Sequence, residues 1–101
     1  MINAREAQKT TQSSKENAIA LMENALRAHE DKFNEAIIKS ANAGQTYAYL
    51  PFCVKYNRNF YTETAETIYK FFFSYGYKVE SINTKDSSSE TESILINWEE
   101  E

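Results

Sequence analysis

One stretch of this sequence gathers most of the side chains that could bind a ligand. It reads YLPFCVKYNRNFY and extends from Tyr49 to Tyr61. Aromatic faces stack on nucleic-acid bases and lysine or arginine pairs with phosphate, so the stretch could hold a nucleotide-like ligand. Tyrosine and arginine are also enriched at protein interfaces, so it could equally contact another protein. The candidate binding residues are Tyr49, Lys55, Tyr56, Asn57, Arg58 and Tyr61.

The same stretch also has an interpretation in which it binds nothing. Phe52, Phe60 and Tyr61 would then be core residues, and the polar residues between them would form ordinary loop surface. Aromatic side chains supply much of the apolar area of protein cores, so these residues could equally be buried. The sequence leaves three interpretations of the stretch open: nucleotide binding, protein binding and core packing.

The residue types that catalysis needs are scarce. The chain has one histidine, His29, and one cysteine, Cys53, far apart in the sequence. A cysteine nucleophile would need that histidine beside it and a third group to orient the pair. The usual spacings of metal ligands are missing, and two glycines cannot build a phosphate-binding loop. The sequence therefore predicts a protein that is not an enzyme, with no cofactor and no metal site.

Charge and hydropathy limit the classes of partner that the sequence allows. The chain has 15 acidic and 11 basic residues and a net charge of −4, whereas proteins that bind duplex nucleic acid usually carry a concentrated basic face. No apolar run approaches the ~18 residues that span a bilayer, and the N-terminal residues lack the apolar region of a signal peptide. A single cysteine fits a reducing compartment. We expect a cytoplasmic protein without duplex nucleic acid or membrane as a partner.

A long helix is predicted in the first half of the chain. Residues 2–43 contain no glycine or proline, Asn3 suits the N-cap position, and Gly44 suits the stop. The run from Thr10 to Ser14 is poor in helix formers, and Ser13 with Glu16 has capping-box spacing. The helix is therefore either continuous or interrupted near residues 10–14, and we favour a short first piece.

The apolar stripe of this helix predicts a homo-oligomer. A helix of about thirty residues is roughly 45 Å long, while a compact domain of about 100 residues has a radius of gyration near ~13 Å. The helix should overhang its own domain, so a second chain would have to cover the stripe. A histidine in that seam is either a neutral, hydrogen-bonded residue or a pH-sensitive contact. The candidate interface residues are Ile19, Met22, Leu26, His29 and Phe33.

The second half, residues 46–98, is predicted to be a β-α-β-β unit. Alternating patterns indicate strands at 46–54, 77–83 and 93–98, with a helix at 62–75 and a flexible turn between the last two strands. Pro51 makes the first strand an edge strand or ends it. A β-α-β crossover followed by a hairpin gives a three-stranded mixed sheet with the helices packed on one face. The predicted fold is a single α+β domain over residues 1–101.

Four short motifs spread over nearly the whole chain carry a resemblance. They are INAREA at Ile2–Ala7, ANAG at Ala41–Gly44, GYKV at Gly76–Val79 and INW at Ile96–Trp98. Together they resemble small accessory proteins encoded by tailed phages, which mostly have no assigned activity. The motifs correspond to a helix start, two helix stops and two strands, so the resemblance implies an architecture and no catalytic residue. It also implies a role in infection.

Three functions follow as hypotheses. The first is a host-takeover or anti-defence factor that binds a host protein through the aromatic and basic stretch, as a homo-oligomer in the host cytoplasm. The second is a sponge that sequesters a small nucleotide signal in a pocket between subunits. The third is a structural component of the virion.

Overall fold

The structure, a computed structural model, describes residues 1–85 and 89–100. The predicted α+β class is confirmed, and the predicted turn between the last two strands lies partly outside the described residues. The elements, in chain order, are α1 (Ala4–Ala28), α2 (Glu30–Asn42), β1 (Tyr47–Pro51), a short 3-10 helix (Arg58–Phe60), α3 (Tyr61–Phe73), β2 (Lys78–Thr84) and β3 (Thr91–Asn97).

The predicted helix start and helix stops are confirmed. The side-chain oxygen of Asn3 accepts a hydrogen bond from the Glu6 N–H at 2.9 Å, which satisfies one of the free donors of the first turn. Gly44 and Gly76 follow α2 and α3 with φ angles of 82° and 87°. Only glycine adopts this left-handed conformation without a steric cost, so each residue ends its helix.

The helix is interrupted at His29, and the predicted interruption near residues 10–14 is wrong. Helix α1 runs continuously through that segment. The His29 Nδ1 instead lies 2.8 Å from the Ala25 carbonyl oxygen, the acceptor that the His29 N–H would use in a regular helix. That N–H bonds to Leu26 at 3.2 Å, which tightens the turn. On the two sides of this interruption, α1 packs on α3 and α2 packs on β1.

The sheet has the strand order β1-β3-β2, and both pairings are antiparallel. Strands β1 and β2 run in the same direction, as a β-α-β unit requires, but β3 lies between them. The predicted mixed sheet is therefore wrong, because no parallel pair forms among the described strands. The apolar strand β3 takes the central place, with Ile96 opposite both Ala48 and Val79.

One face of the sheet is covered by helices, as predicted. The inner residues of the three strands meet apolar residues of all three α-helices, whereas Tyr47 and Tyr49 are exposed on the outer face. The buried core consists of Met22, Leu26, Phe33, Ala48, Leu50, Phe52, Ile68, Phe72, Val79, Ile94 and Ile96. At the N-terminal end of the molecule, residues 1–13 are all exposed and extend beyond the buried core. We call them the N-terminal arm.

Candidate functional site

Pro51 ends strand β1 and directs the chain toward the candidate binding residues. Proline has no backbone N–H to donate to a ladder. The exit is held by Thr91, whose buried hydroxyl accepts from the Val54 N–H at 3.0 Å and donates to the Phe52 carbonyl at 2.6 Å. The Phe52 side chain is fully buried. The core interpretation is therefore right for Phe52, and five of the six candidate binding residues follow it in the sequence.

Hydrogen bonds fix both ends of the loop that follows. At its start, the Tyr56 N–H donates to the Ser89 carbonyl at 2.7 Å. At its end, the side-chain oxygen of Asn57 accepts from the Asn59 N–H at 3.0 Å and caps the 3-10 helix that leads into α3. The ring centroids of Tyr56 and Tyr61 are 5.8 Å apart. The loop therefore holds a defined conformation at the surface.

Three of the six candidate residues line one groove. Lys55, Tyr56 and Asn57 face helix α1 across a groove of about 460 Å³, which we call the α1–loop groove. Its floor includes the buried Met22, and Leu21, which is 61% exposed, forms one wall. Among the described residues that line the groove, Lys55 alone is charged. The other lining residues are Ser14, Asn17, Ala18 and Thr64.

The other three candidates lie elsewhere. Tyr49 is on the outer face of the sheet, where its ring centroid is 6.3 Å from that of Tyr47. Arg58 and Tyr61 are exposed, but neither lines the groove, and Tyr61 is linked to it through its contact with Tyr56. Side chains alternate between the two faces of a strand, which explains why Tyr49 points away from the loop residues. The predicted site is thus brought together only in part.

His29 and Cys53 occupy different environments. The His29 ring packs among aromatic side chains, with its centroid 5.0 Å from that of Phe52 and 6.0 Å from that of Phe33. Because a carbonyl can only accept, Nδ1 donates to Ala25. Cys53 is exposed, and its Sγ lies 3.8 Å from the Glu92 carbonyl. Within residues 1–85 and 89–100, no group of three or more His, Cys, Asp or Glu could hold a metal ion.

The candidate oligomer interface lies mainly in the core of its own chain. Met22, Leu26 and Phe33 are at most 2% exposed, and they pack against the sheet and α3. Ile19 and His29 are half-buried. The same chain therefore covers Met22, Leu26 and Phe33, and the homo-oligomer itself stays a prediction. The part of α1 that does overhang is the polar N-terminal arm.

Sequence reasoning missed a second concave site, between α2 and α3. Its lining includes Glu30 of α2 together with rings from both helices and from the chain just before β2. Tyr75 donates to the Glu30 carboxylate at 3.1 Å. That hydrogen bond and the negative charge of Glu30 raise the pKa of Tyr75, while Arg27 acts in the opposite direction. The spacing of Phe71 and Tyr75 is a helix-face signal, but nothing in the sequence indicates that α2 faces them.

Comparison with known proteins gives no relative: the chain matches no protein-family model, no curated protein and no solved structure. The resemblance to phage accessory proteins therefore stays a prediction. No helix of the described residues is long and apolar enough to cross a bilayer. Function has to be argued from the geometry of the surface.

Proposed function

We propose that this protein acts by binding a segment of a partner protein in the α1–loop groove, and not by chemistry. The observation that carries this proposal is the composition of the groove. Apolar surface from Leu21, Met22 and Tyr56 lies beside one lysine, with amide and hydroxyl groups around it. An apolar center with a polar rim is the usual anatomy of a protein interface.

The basic residues near the groove indicate the charge of the partner segment. The chain carries a net charge of −4, yet the segment 52–61 has two basic residues, Lys55 and Arg58, and no acidic one. The lysine nearest the groove on α1, Lys15, lies 3.7 Å from Glu63 and is already paired. A cation with apolar surface beside it favours a segment that has an apolar side chain next to a carboxylate. We therefore propose an acidic, partly apolar segment as the occupant.

A single cation also favours a protein segment over a nucleotide. A nucleotide site would need several donors that converge on each phosphate, whereas Lys55 is the one charged residue that lines the described groove. Binding of a host protein agrees with the host-takeover or anti-defence role that the resemblance implies. That role, like the binding itself, is part of the proposal.

Matched variants of the two groove walls test this function. Lys55→Glu reverses the one charge, and Leu21→Asp places a carboxylate on the exposed apolar wall. Tyr49→Ala is the control, because it truncates an aromatic residue of similar exposure outside the groove. The tagged protein should capture a specific protein from bacterial lysate, and both groove variants should lose it while the control retains it. Affinity of the purified pair should fall at least about tenfold with Lys55→Glu, or about 1.4 kcal/mol.

Capture that survives both groove variants, or that Tyr49→Ala abolishes, would contradict the proposal.

A panel of cyclic and linear nucleotides tests the rival function by thermal unfolding. A ligand at about 100 times its dissociation constant adds about 2.7 kcal/mol to the free energy of unfolding. A shift of that size that disappears in Lys55→Glu would assign the groove to a nucleotide instead.

A further inference from the structure

Aromatic rings enclose the cleft between α2 and α3 on several sides. Phe33 and Phe72, both 2% exposed, form its base, with centroids 5.4 Å apart. Phe71 meets Phe72 at 5.1 Å with an interplanar angle of 90°, and it meets Tyr75 at 5.5 Å with an angle of 66°. Tyr77 completes the lining. Rings at steep angles to one another surround a space of about 170 Å³, which we call the aromatic cleft.

A carboxylate is fixed beside these rings. Glu30 lines the cleft and accepts a hydrogen bond from the Tyr75 hydroxyl at 3.1 Å. In the described part of the chain, Glu30 forms no ion pair with a lysine or arginine. The basic group that acts on Tyr75 is Arg27, and its effect is smaller than that of Glu30. Among the described residues that line the cleft, Glu30 is the only charged one, so the lining carries a negative charge.

We propose that the aromatic cleft binds an alkylated ammonium group. Aromatic faces attract cations through the ring quadrupole, most strongly where water is excluded, and a nearby carboxylate adds direct charge attraction. Methyl groups on the nitrogen contact the rings, whereas a bare ammonium would lose its hydration without replacement. The cleft has room for one such head group. The group could belong to a free quaternary amine or to a trimethylated lysine side chain.

Choline and its uncharged isostere, 3,3-dimethylbutan-1-ol, separate cation binding from simple apolar binding. We expect choline to shift the aromatic NMR signals of Phe71, Tyr75 and Tyr77 in a saturable way, with a dissociation constant in the millimolar range. The isostere should bind at least about tenfold more weakly, since it lacks the charge. A trimethyllysine peptide, compared with its unmodified form, shows whether the head group is also accepted on a chain.

Three variants test the assigned groups. Glu30→Gln and Tyr75→Leu should each weaken choline binding at least about fivefold, because one removes the charge and the other removes an exposed ring. Arg27→Gln should leave binding unchanged or tighten it, since a repelling cation is lost. Thermal unfolding confirms that each variant is folded. None of these residues lines the α1–loop groove, so capture of the partner proposed above should persist.

Two results would overturn the inference. One is the absence of any saturable shift with choline and with the trimethyllysine peptide. The other is equal binding of choline and its isostere, with Glu30→Gln as good as the parent, which would make the cleft an apolar pocket without preference for charge.

Discussion

Thr91 shows at the scale of one residue how a side chain supports the backbone where strand β1 ends after Pro51. Backbone hydrogen bonds to the β3 segment continue there at Phe52 and Val54. Thr91 is 1% exposed, and its hydroxyl bonds to backbone groups on both sides of Cys53. The alternating pattern of the first strand and its proline predict where the ladder ends. They do not predict which residue satisfies the freed backbone groups, because that partner lies 37 positions away in sequence.

Thr91→Val should destabilise the fold by about 1–3 kcal/mol, because the Val54 N–H loses its acceptor in a buried place. The control is Thr67→Val, also at a buried threonine. Its hydroxyl bonds only to the Glu63 carbonyl within α3, so we expect a loss below about 1 kcal/mol. Urea unfolding measures both. Equal losses in the two variants would show that the Thr91 hydroxyl does not hold the exit from β1.

The candidate binding residues show which parts of the site could be predicted from the sequence. Lys55, Tyr56 and Asn57 are consecutive, so a loop at the surface keeps them together whatever the fold. Tyr49 is close to them in sequence, but its position in a strand places its side chain on the outer face of the sheet. Leu21 and Ala18 could not be assigned to the groove, because only tertiary packing brings α1 to this loop.

At the scale of elements, local signals predicted the ends of the helices, and tertiary contacts decided the interruption. The capping asparagine and the two glycines act within one turn, so the sequence reveals them. Threonine and serine at residues 10–14 lower helix propensity by only a few tenths of a kcal/mol each, which does not break an extended helix. At the interruption, the His29 ring packs against Phe33 and Phe52, and Phe52 lies in a distant segment of the sequence.

Strand positions were predicted by the period-two pattern, whereas strand order was not. A β-α-β unit predicts that β1 and β2 run in the same direction, which is correct. Whether they pair depends on which strand has the most apolar surface to bury. Ile94 and Ile96 are fully buried, and a strand with such residues is most stable at the center of the sheet.

The N-terminal arm should be dispensable for stability. Removing residues 1–11 takes away only exposed side chains, so the free energy of unfolding should change by less than about 0.5 kcal/mol. The far-UV circular dichroism signal should lose the helical contribution of residues 4–11. Ser13 and Glu16 would then cap the shortened helix. Ser13→Ala should therefore cost about 0.5–1 kcal/mol in the truncated chain and almost nothing in the full chain.

A large loss of stability on truncation would contradict this view of the arm. It would mean that residues 1–11 pack against a surface, either in the same molecule or in a second copy. Equal effects of Ser13→Ala in the two chains would instead show that the capping box never takes over.

At the scale of the whole molecule, the predicted long N-terminal helix is confirmed, and the exposure of its residues changes what we expect of its partners. The molecule extends over 61 × 27 × 23 Å, and its radius of gyration is 16.0 Å, above the ~13 Å of a compact chain of this size. The predicted overhang therefore exists. After Met1 and Ile2 its surface is mostly polar, because the apolar stripe of the helix begins near Ile19. The same chain buries Met22, Leu26 and Phe33 of that stripe, while Leu21 stays exposed. The buried part of the stripe therefore does not require a second subunit to cover it.

We expect a monomer of elongated shape in dilute solution. Sedimentation equilibrium should give the mass of one chain, 11.7 kDa, and X-ray scattering should give a radius of gyration close to 16.0 Å. The surface most able to contradict this is the apolar patch on α3 formed by Phe73, which is 80% exposed, and Tyr69. A multiple of the chain mass that Phe73→Ser reduces to one chain would locate an interface at this patch. A multiple that Phe73→Ser leaves unchanged, but that removal of residues 1–11 abolishes, would place the contact between subunits at the N-terminal arm.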